Sequence, residues 1–145
     1  MTVKAQQIAT TGEHWTWVEI DLNAMAANFA ELKKLAAKNM AYNAGLIPVI
    51  KADAYGHGML ATAQCLDAQG CPLFAVSNVS EGIALRRAGF KQKVLLFEST
   101  LPQDAAAIVE NQLTPTVCTP ELAQAIDAQA AAAGVQVPVH IKVDT

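Results

Sequence analysis

Along most of this chain a short apolar run is followed by a helix-forming stretch, and the pair then repeats. Residues 46–51 are apolar up to Lys51, and 59–69 form an Ala-rich helix that Gly70 ends. Residues 73–76 make the next run, followed by a helix at 80–87 stopped at Gly89. The third run is 93–97, and its helix at 102–110 opens on Pro102, whose missing N–H costs nothing in a first turn. Residues 113–118 and 120–133 form the fourth pair, and 137–143 a fifth run. Ahead of these, 15–21 (WTWVEID) alternates as a half-buried strand does, and 23–37 places Met25, Phe29, Leu32 and Leu35 at helical spacing. Short strands bare of polar positions, separated by helices, imply a parallel sheet covered by helices, so the fold class is α/β. Periodicity leaves open whether that sheet closes into a barrel or stays open and doubly wound, because both repeat the same unit. An eight-unit barrel needs about 250 residues. The 145 present stop directly after the fifth run, with no returning helix, so the repeat is expected to be cut off.

A hydrophobic fraction of 52% is enough for a sizeable core. The net charge of −3 and charged fraction of 16% supply no basic stripe for nucleic acid and no polyanionic tail, which points to a small-molecule partner. Residues 1–14 lack a basic start followed by an apolar stretch, and no apolar run approaches a membrane span; the expectation is a cytoplasmic protein with no signal and no membrane partner. Cys65, Cys71 and Cys118 are odd in number and lack C-x-x-C spacing, so they read as reduced, buried small hydrophobes rather than a disulfide framework or a metal site.

No P-loop, no G-x-G-x-x-G after a strand, no G-x-S-x-G elbow and no H-E-x-x-H helix is present. The informative stretch is VIKADAYGHG at 49–58, which runs off the end of the first repeat strand, the edge where α/β proteins build their sites. A lysine ending an apolar strand is either a surface residue that snorkels to water or a functional amine. Emerging from an apolar wall, the Lys51 amine would lose hydration, and a lowered pKa would suit it to Schiff-base formation. Tyr55 can turn back toward the same pocket and offer its hydroxyl to a phosphate or carbonyl oxygen. Gly56 and Gly58 supply positive φ and let the backbone pass close to a ligand. His57 reads as a cap or buttress of the following helix, His140 as structural and His14 as exposed.

The string KADAYGHG, preceded by Val49 and Ile50, is very similar to the cofactor-attachment motif of alanine racemases. WVEIDLNAMAANF, including Asn28, resembles that family's opening strand and helix. Glu81, Leu85, Arg86 and Gly89 fall as in its E-x-x-x-L-R-x-x-G segment, and HIKVDT resembles the start of its H-x-K-x-D-T-G-M stretch. The resemblance runs from about Trp15 to Thr145.

The resemblance implies a (β/α)8 TIM-barrel-type fold, here an incomplete barrel of about the first five βα units. Residues 1–14 would be a flexible leader and 15–145 the amino-terminal part of the cofactor-binding barrel, without the family's carboxy-terminal β domain. It further implies that Lys51 carries pyridoxal 5'-phosphate as a Schiff base and is one of two acid/base groups, that Tyr55 helps hold the phosphate, and that Val49 lines the pocket beside the ring. Lys142 matches a lysine that is N6-carboxylated in many members. The implied activity is interconversion of L- and D-alanine for cell-wall (peptidoglycan) precursors by a homodimer, whose second acid/base group is a tyrosine of the carboxy-terminal domain. Nothing here matches that tyrosine, since only Tyr42 and Tyr55 are present, so a fragment inactive on its own is expected. Two other readings share the motif: a non-catalytic cofactor-binding or interaction module, and a racemase of broader specificity.

Overall fold

The computed structural model describes residues 18–38 and 45–145. The opening helix α1 (Leu22–Lys38) begins where Asp21 Oδ1 accepts from the N–H groups of Asn23 (2.8 Å) and Ala24 (3.0 Å), the usual satisfaction of first-turn donors. The strand expected at 15–21 is not found over its described part. Residues 18–21 form no strand, Val18 stands 81% exposed, and Asp21 is engaged as the cap; residues 15–17 lie outside the described residues, as do His14 and the leader. A strand needs a neighbour for its N–H and C=O groups, and 18–21 are given none in the sheet.

Next come α2 (Lys51–Tyr55), α3 (Met59–Asp67), β1 (Leu73–Val76), α4 (Val79–Arg87), β2 (Lys93–Ser99), a 3-10 turn at Pro102–Asp104 leading into α5 (Ala105–Glu110), β3 (Thr114–Val117), α6 (Pro120–Ala133) and β4 (His140–Ile141). Thr119 caps α6 by accepting from the Leu122 N–H, and Gly134 ends it in the left-handed region. The strands form one parallel sheet in the order β1-β2-β3-β4. Ahead of β1 the segment 46–50 runs alongside it. Val49 pairs with Ala75, Ile50 N–H donates to Ala75 O (2.9 Å), and Ala75 N–H donates to Pro48 O (2.9 Å). This ladder is shorter than the strand expected at 46–51, because Pro48 has no N–H to give and the chain turns away at Lys51. The fifth run, expected at 137–143, is likewise paired only at His140–Ile141 and by Lys142 N–H to Val117 O (2.9 Å), with Pro138 just ahead of it.

Strand order that follows chain order without reversal is the winding of a barrel; a doubly wound sheet reverses at a switch point. Side-chain alternation agrees with this. Ile50, Phe74, Val76, Val94, Leu96 and Val117 point to one face and join Met59, Ala63, Leu66, Leu85, Ile108, Leu122 and Ile126 of the helices in a single core. Val49, Ala75, Leu95 and Thr114 lie in one row on the other face, which Thr116 and His140 continue. The helices thus cover one side of an open parallel sheet, as in part of a barrel. Where the β2–β3 register slips between Leu95 and Ser99, Thr116 Oγ1 donates to Leu96 O at 2.6 Å.

Arg86 ties the opposite edge together. Its guanidinium donates to Asn111 O (2.8 Å), Phe90 O (3.0 Å), Gln92 O (2.8 Å) and Gln112 O (3.0 Å), fastening the loop after α4 to the loop before β3. Burial pushes its pKa down, as desolvation does for any cation. Charge-assisted bonds of this kind are individually worth about 1.5–3 kcal/mol, so Arg86→Ala should destabilise the chain by about 2 kcal/mol or more in urea unfolding. Arg86→Lys should recover less than half of the loss, because an ammonium cannot reproduce the planar fork. Equal stability of the lysine variant and the parent would remove this role.

Candidate active site

Because every strand of the sheet runs the same way, their carboxyl ends share one edge, and the segment after each contributes to it. Lys51 follows 46–50 on that edge, Ser77 follows β1, Thr100 follows β2, Cys118 follows β3 and Lys142 follows β4. Lys142 comes two residues after His140 and its N–H still pairs with Val117 O, so it continues a row that faces away from the helices, whereas Lys51 follows directly on Ile50, whose ψ of 20° ends the extended backbone. Lys51 is half-buried.

The backbone after Lys51 is unusual. Ala52, Asp53, Ala54 and Tyr55 have φ of 49°, 53°, 54° and 54°, so α2 is a turn of left-handed helix built without glycine. Each such residue costs roughly 1–2 kcal/mol, because Cβ crowds the following carbonyl oxygen. Three carboxylate hydrogen bonds, each worth about 1.5–3 kcal/mol, offset a cost of this size. Glu81 Oε1 accepts from the Ala52 N–H (2.8 Å) and Oε2 from the Ser77 N–H (2.7 Å), joining the turn to the end of β1. Asp53 Oδ1 accepts from the Met59 N–H (2.6 Å), joining the turn to the start of α3. Within the turn, Ala54 N–H reaches Ile50 O (3.0 Å), while Asp53 O takes the N–H groups of Gly56 (3.1 Å) and Gly58 (2.9 Å). Gly56 and Gly58 do have the positive φ expected of them, 88° and 86°. Ala54 is the one side chain of the turn that is buried, and it anchors the turn in the core.

Tyr55 is the last residue of the left-handed turn and stands 61% exposed. His57 buttresses the turn rather than the following helix, its Nδ1 lying 2.9 Å from Ala54 O. A cleft of about 580 Å³ between α1 and the 46–50 segment is lined in part by Val49, Asn28, His57 and Thr62, while Lys51 and Tyr55 do not line it. Lys142 lies beyond β4, its side chain 52% exposed and its Nζ 3.8 Å from Asp144 Oδ1. His140 is exposed on β4.

The thiols correct one expectation. Cys65 and Cys71 are buried, and burial pushes both up, but Cys118 is exposed at the carboxyl edge with its Sγ 2.8 Å from Ser99 Oγ. All three are free. Being just past β3, Cys118 has left the core that an apolar run of letters suggested. Among the described residues no group of three or more His, Cys, Asp and Glu is placed to hold a metal ion, and no helix is long and apolar enough to cross a membrane.

Sequence reasoning named Glu81 only as part of a resemblance and passed over Asp53 altogether. The signal for Glu81 was present. Asn78-Val79-Ser80-Glu81 is the capping-box spacing, and Asn78 Oδ1 does accept from Glu81 N–H (3.1 Å), but the glutamate reaches Ser77 and Ala52 in place of the cap residue's own N–H.

The strain has a direct consequence. Ala52 is exposed, so Ala52→Gly alters little except backbone preference. It should leave stability unchanged or raise it by about 1 kcal/mol, as relief of the left-handed penalty exceeds the entropy glycine adds to the unfolded chain. The same change at Ala128, exposed in the right-handed α6, should cost about 1 kcal/mol. Equal losses at both sites in urea unfolding would mean that Ala52 is not left-handed.

Comparison with known proteins agrees with this geometry. Residues 20–145 match the family model described as "Alanine racemase, N-terminal domain". The alanine racemase of Desulfovibrio desulfuricans is 40% identical over 129 residues, covering 89% of this chain and 34% of that protein. Among solved structures, the alanine racemase from Streptomyces coelicolor A3(2) superposes with a TM-score of 0.76 at 31% identity, covering 86% of this chain and 32% of its own. A histidine racemase from Leuconostoc mesenteroides subsp. sake superposes with a TM-score of 0.70 at 26% identity, covering 81% of this chain and 30% of its own. The chain spans about a third of the length of the curated relatives it matches. A match over residues 20–145 shows that this chain belongs to the alanine racemase N-terminal domain family.

Proposed function

We propose that this chain is the lysine-bearing part of a pyridoxal 5'-phosphate-dependent alanine racemase, with Lys51 as the residue that holds the cofactor. The observation that carries the reading is the position of Lys51, half-buried at the carboxyl end of a parallel strand and followed at once by a left-handed turn pinned at both ends. The donor set fits the group: a primary amine for the aldehyde, and an exposed phenol hydroxyl four residues on for the phosphate. When bound, pyridoxal phosphate draws electrons from the substrate's Cα and so weakens its C–H bond. Lys51 Nζ then holds or releases a proton on one face of Cα, as an amine fixed on a rigid element can serve that face alone. In this reading Tyr55 would offer its hydroxyl to a phosphate oxygen, and Val49, two residues before Lys51, would line the pocket beside the ring. Racemisation requires a second proton carrier on the opposite face, which we assign to a partner subunit of a homodimer. The same reading makes Lys142 a candidate for N6-carboxylation, residues 1–14 a leader ahead of the barrel, and the protein cytoplasmic.

A second reading has its own support in the histidine racemase that shares this fold, namely a racemase acting on an amino acid other than alanine or on several. Both readings place the cofactor on Lys51, and they separate on which amino acid loses optical activity in the presence of the protein.

Incubating the chain with pyridoxal phosphate, reducing with borohydride and mapping the modified peptide tests the common claim. The pyridoxyl group is expected on Lys51, and Lys51→Ala should remove it. Label distributed evenly over the surface lysines, or concentrated on a different one, would overturn the assignment.

A further inference from the structure

We propose that Glu81 is a positioning residue for Lys51: its carboxylate grips the first N–H after the lysine and thereby fixes where the strand tip presents the amine. This rests on the reading of Lys51 given above. Three observations converge on Glu81. Ala52 is exposed, yet its N–H is held by Glu81 Oε1 at 2.8 Å across 29 residues of sequence. The second oxygen is not left to solvent but takes the Ser77 N–H at 2.7 Å, at the end of the strand that pairs with Val49. Glu81 is itself fixed, because it sits in the first turn of α4 and its own N–H is taken by the Asn78 cap at 3.1 Å.

The carboxylate therefore measures the separation between two adjacent strand ends. A neutral amide of the same length could accept from one of these N–H groups but would present its NH2 to the other, and an alanine would satisfy neither. Without the bridge, the left-handed turn keeps its tie to Met59 through Asp53 and its own bond to Ile50 O but loses its side-chain tie to the end of β1. Helix α4 and the core beneath it keep their other contacts, since Leu85 is fully buried and Arg86 retains its four carbonyl partners. Loss of Glu81 should thus act locally on the lysine.

The test compares Glu81→Ala and Glu81→Gln with Thr119→Ala, which removes the α6 cap on a different helix and serves as a control for general destabilisation. Amide hydrogen exchange in the full chain is read by mass spectrometry on peptides covering 51–56, and reductive trapping of pyridoxal phosphate is read as the share of label on Lys51. Glu81→Ala should speed exchange in the 51–56 peptide at least tenfold and lower the share of label on Lys51 at least fivefold. Glu81→Gln should fall between it and the parent, and Thr119→Ala should change neither readout by more than about twofold while lowering the urea midpoint. If Glu81→Ala does not fold, the same two readouts on Glu81→Gln decide.

Unchanged exchange and unchanged labelling in a folded Glu81 variant would overturn the proposal, as would an equal loss of labelling in Thr119→Ala. Failure of the parent to label Lys51 at all would instead refute the cofactor assignment and with it the proposed role; the exchange arm would then report only whether Glu81 holds the turn.

Discussion

Four consecutive non-glycine residues held at positive φ form the constraint around which the carboxyl edge of this chain is arranged. Left alone, 52–55 would relax to right-handed or extended backbone. They stay left-handed because ties from two directions over-determine them, Glu81 from the sheet side and Asp53 from α3, with Ala54 sunk in the core between. Such strain is tolerated where the surrounding structure fixes it, and it clusters at sites whose geometry matters. Its result is that the strand ends abruptly, and Lys51 sits at a corner rather than on a gradual run into a helix.

The sheet divides its two edges between different tasks. At the amino-terminal side of β3, the Arg86 fork and the carbonyls of 90, 92, 111 and 112 bind loop to loop. At the carboxyl side, Glu81 and Asp53 accept from the backbone N–H groups of Ala52, Ser77 and Met59, which tie down the turn after Lys51. The two faces divide as well. One carries Ile50, Phe74, Val76, Val94 and Leu96 into the helical layer, while the other carries Val49 and the row that leads to Lys142. This separation of a stabilising edge from a chemical one is characteristic of βα barrels.

Much of this was legible in the letters, and the failures have physical causes. The strand Leu73–Val76 and the helix Pro120–Ala133 occur where punctuation and apolar runs placed them, because Gly and Pro act locally. Over 18–21, the described part of the strand expected at 15–21, none forms, because pairing depends on a partner that alternation cannot supply. The left-handed turn was invisible for a different reason. Sequence rules assign positive φ to glycine and sometimes to Asn or Asp, whereas Ala-Asp-Ala-Tyr reads as ordinary helix. The ties that make that conformation hold reach outside the turn, and the one from Glu81 spans 29 residues of sequence. The winding of the sheet was open in the sequence and is settled by register, since each strand pairs with the next in chain order.

The central claim, that Lys51 is followed by a left-handed turn, is tested most directly by solution NMR of the isotopically labelled chain. Residues at positive φ bring their own N–H close to their own Hα, so intraresidue N–H to Hα cross-peaks at Ala52, Asp53, Ala54 and Tyr55 should be markedly stronger than those of α6. Cross-peaks at these four residues no stronger than in α6 would mean that the turn is right-handed, and the account of how Lys51 is presented would be contradicted.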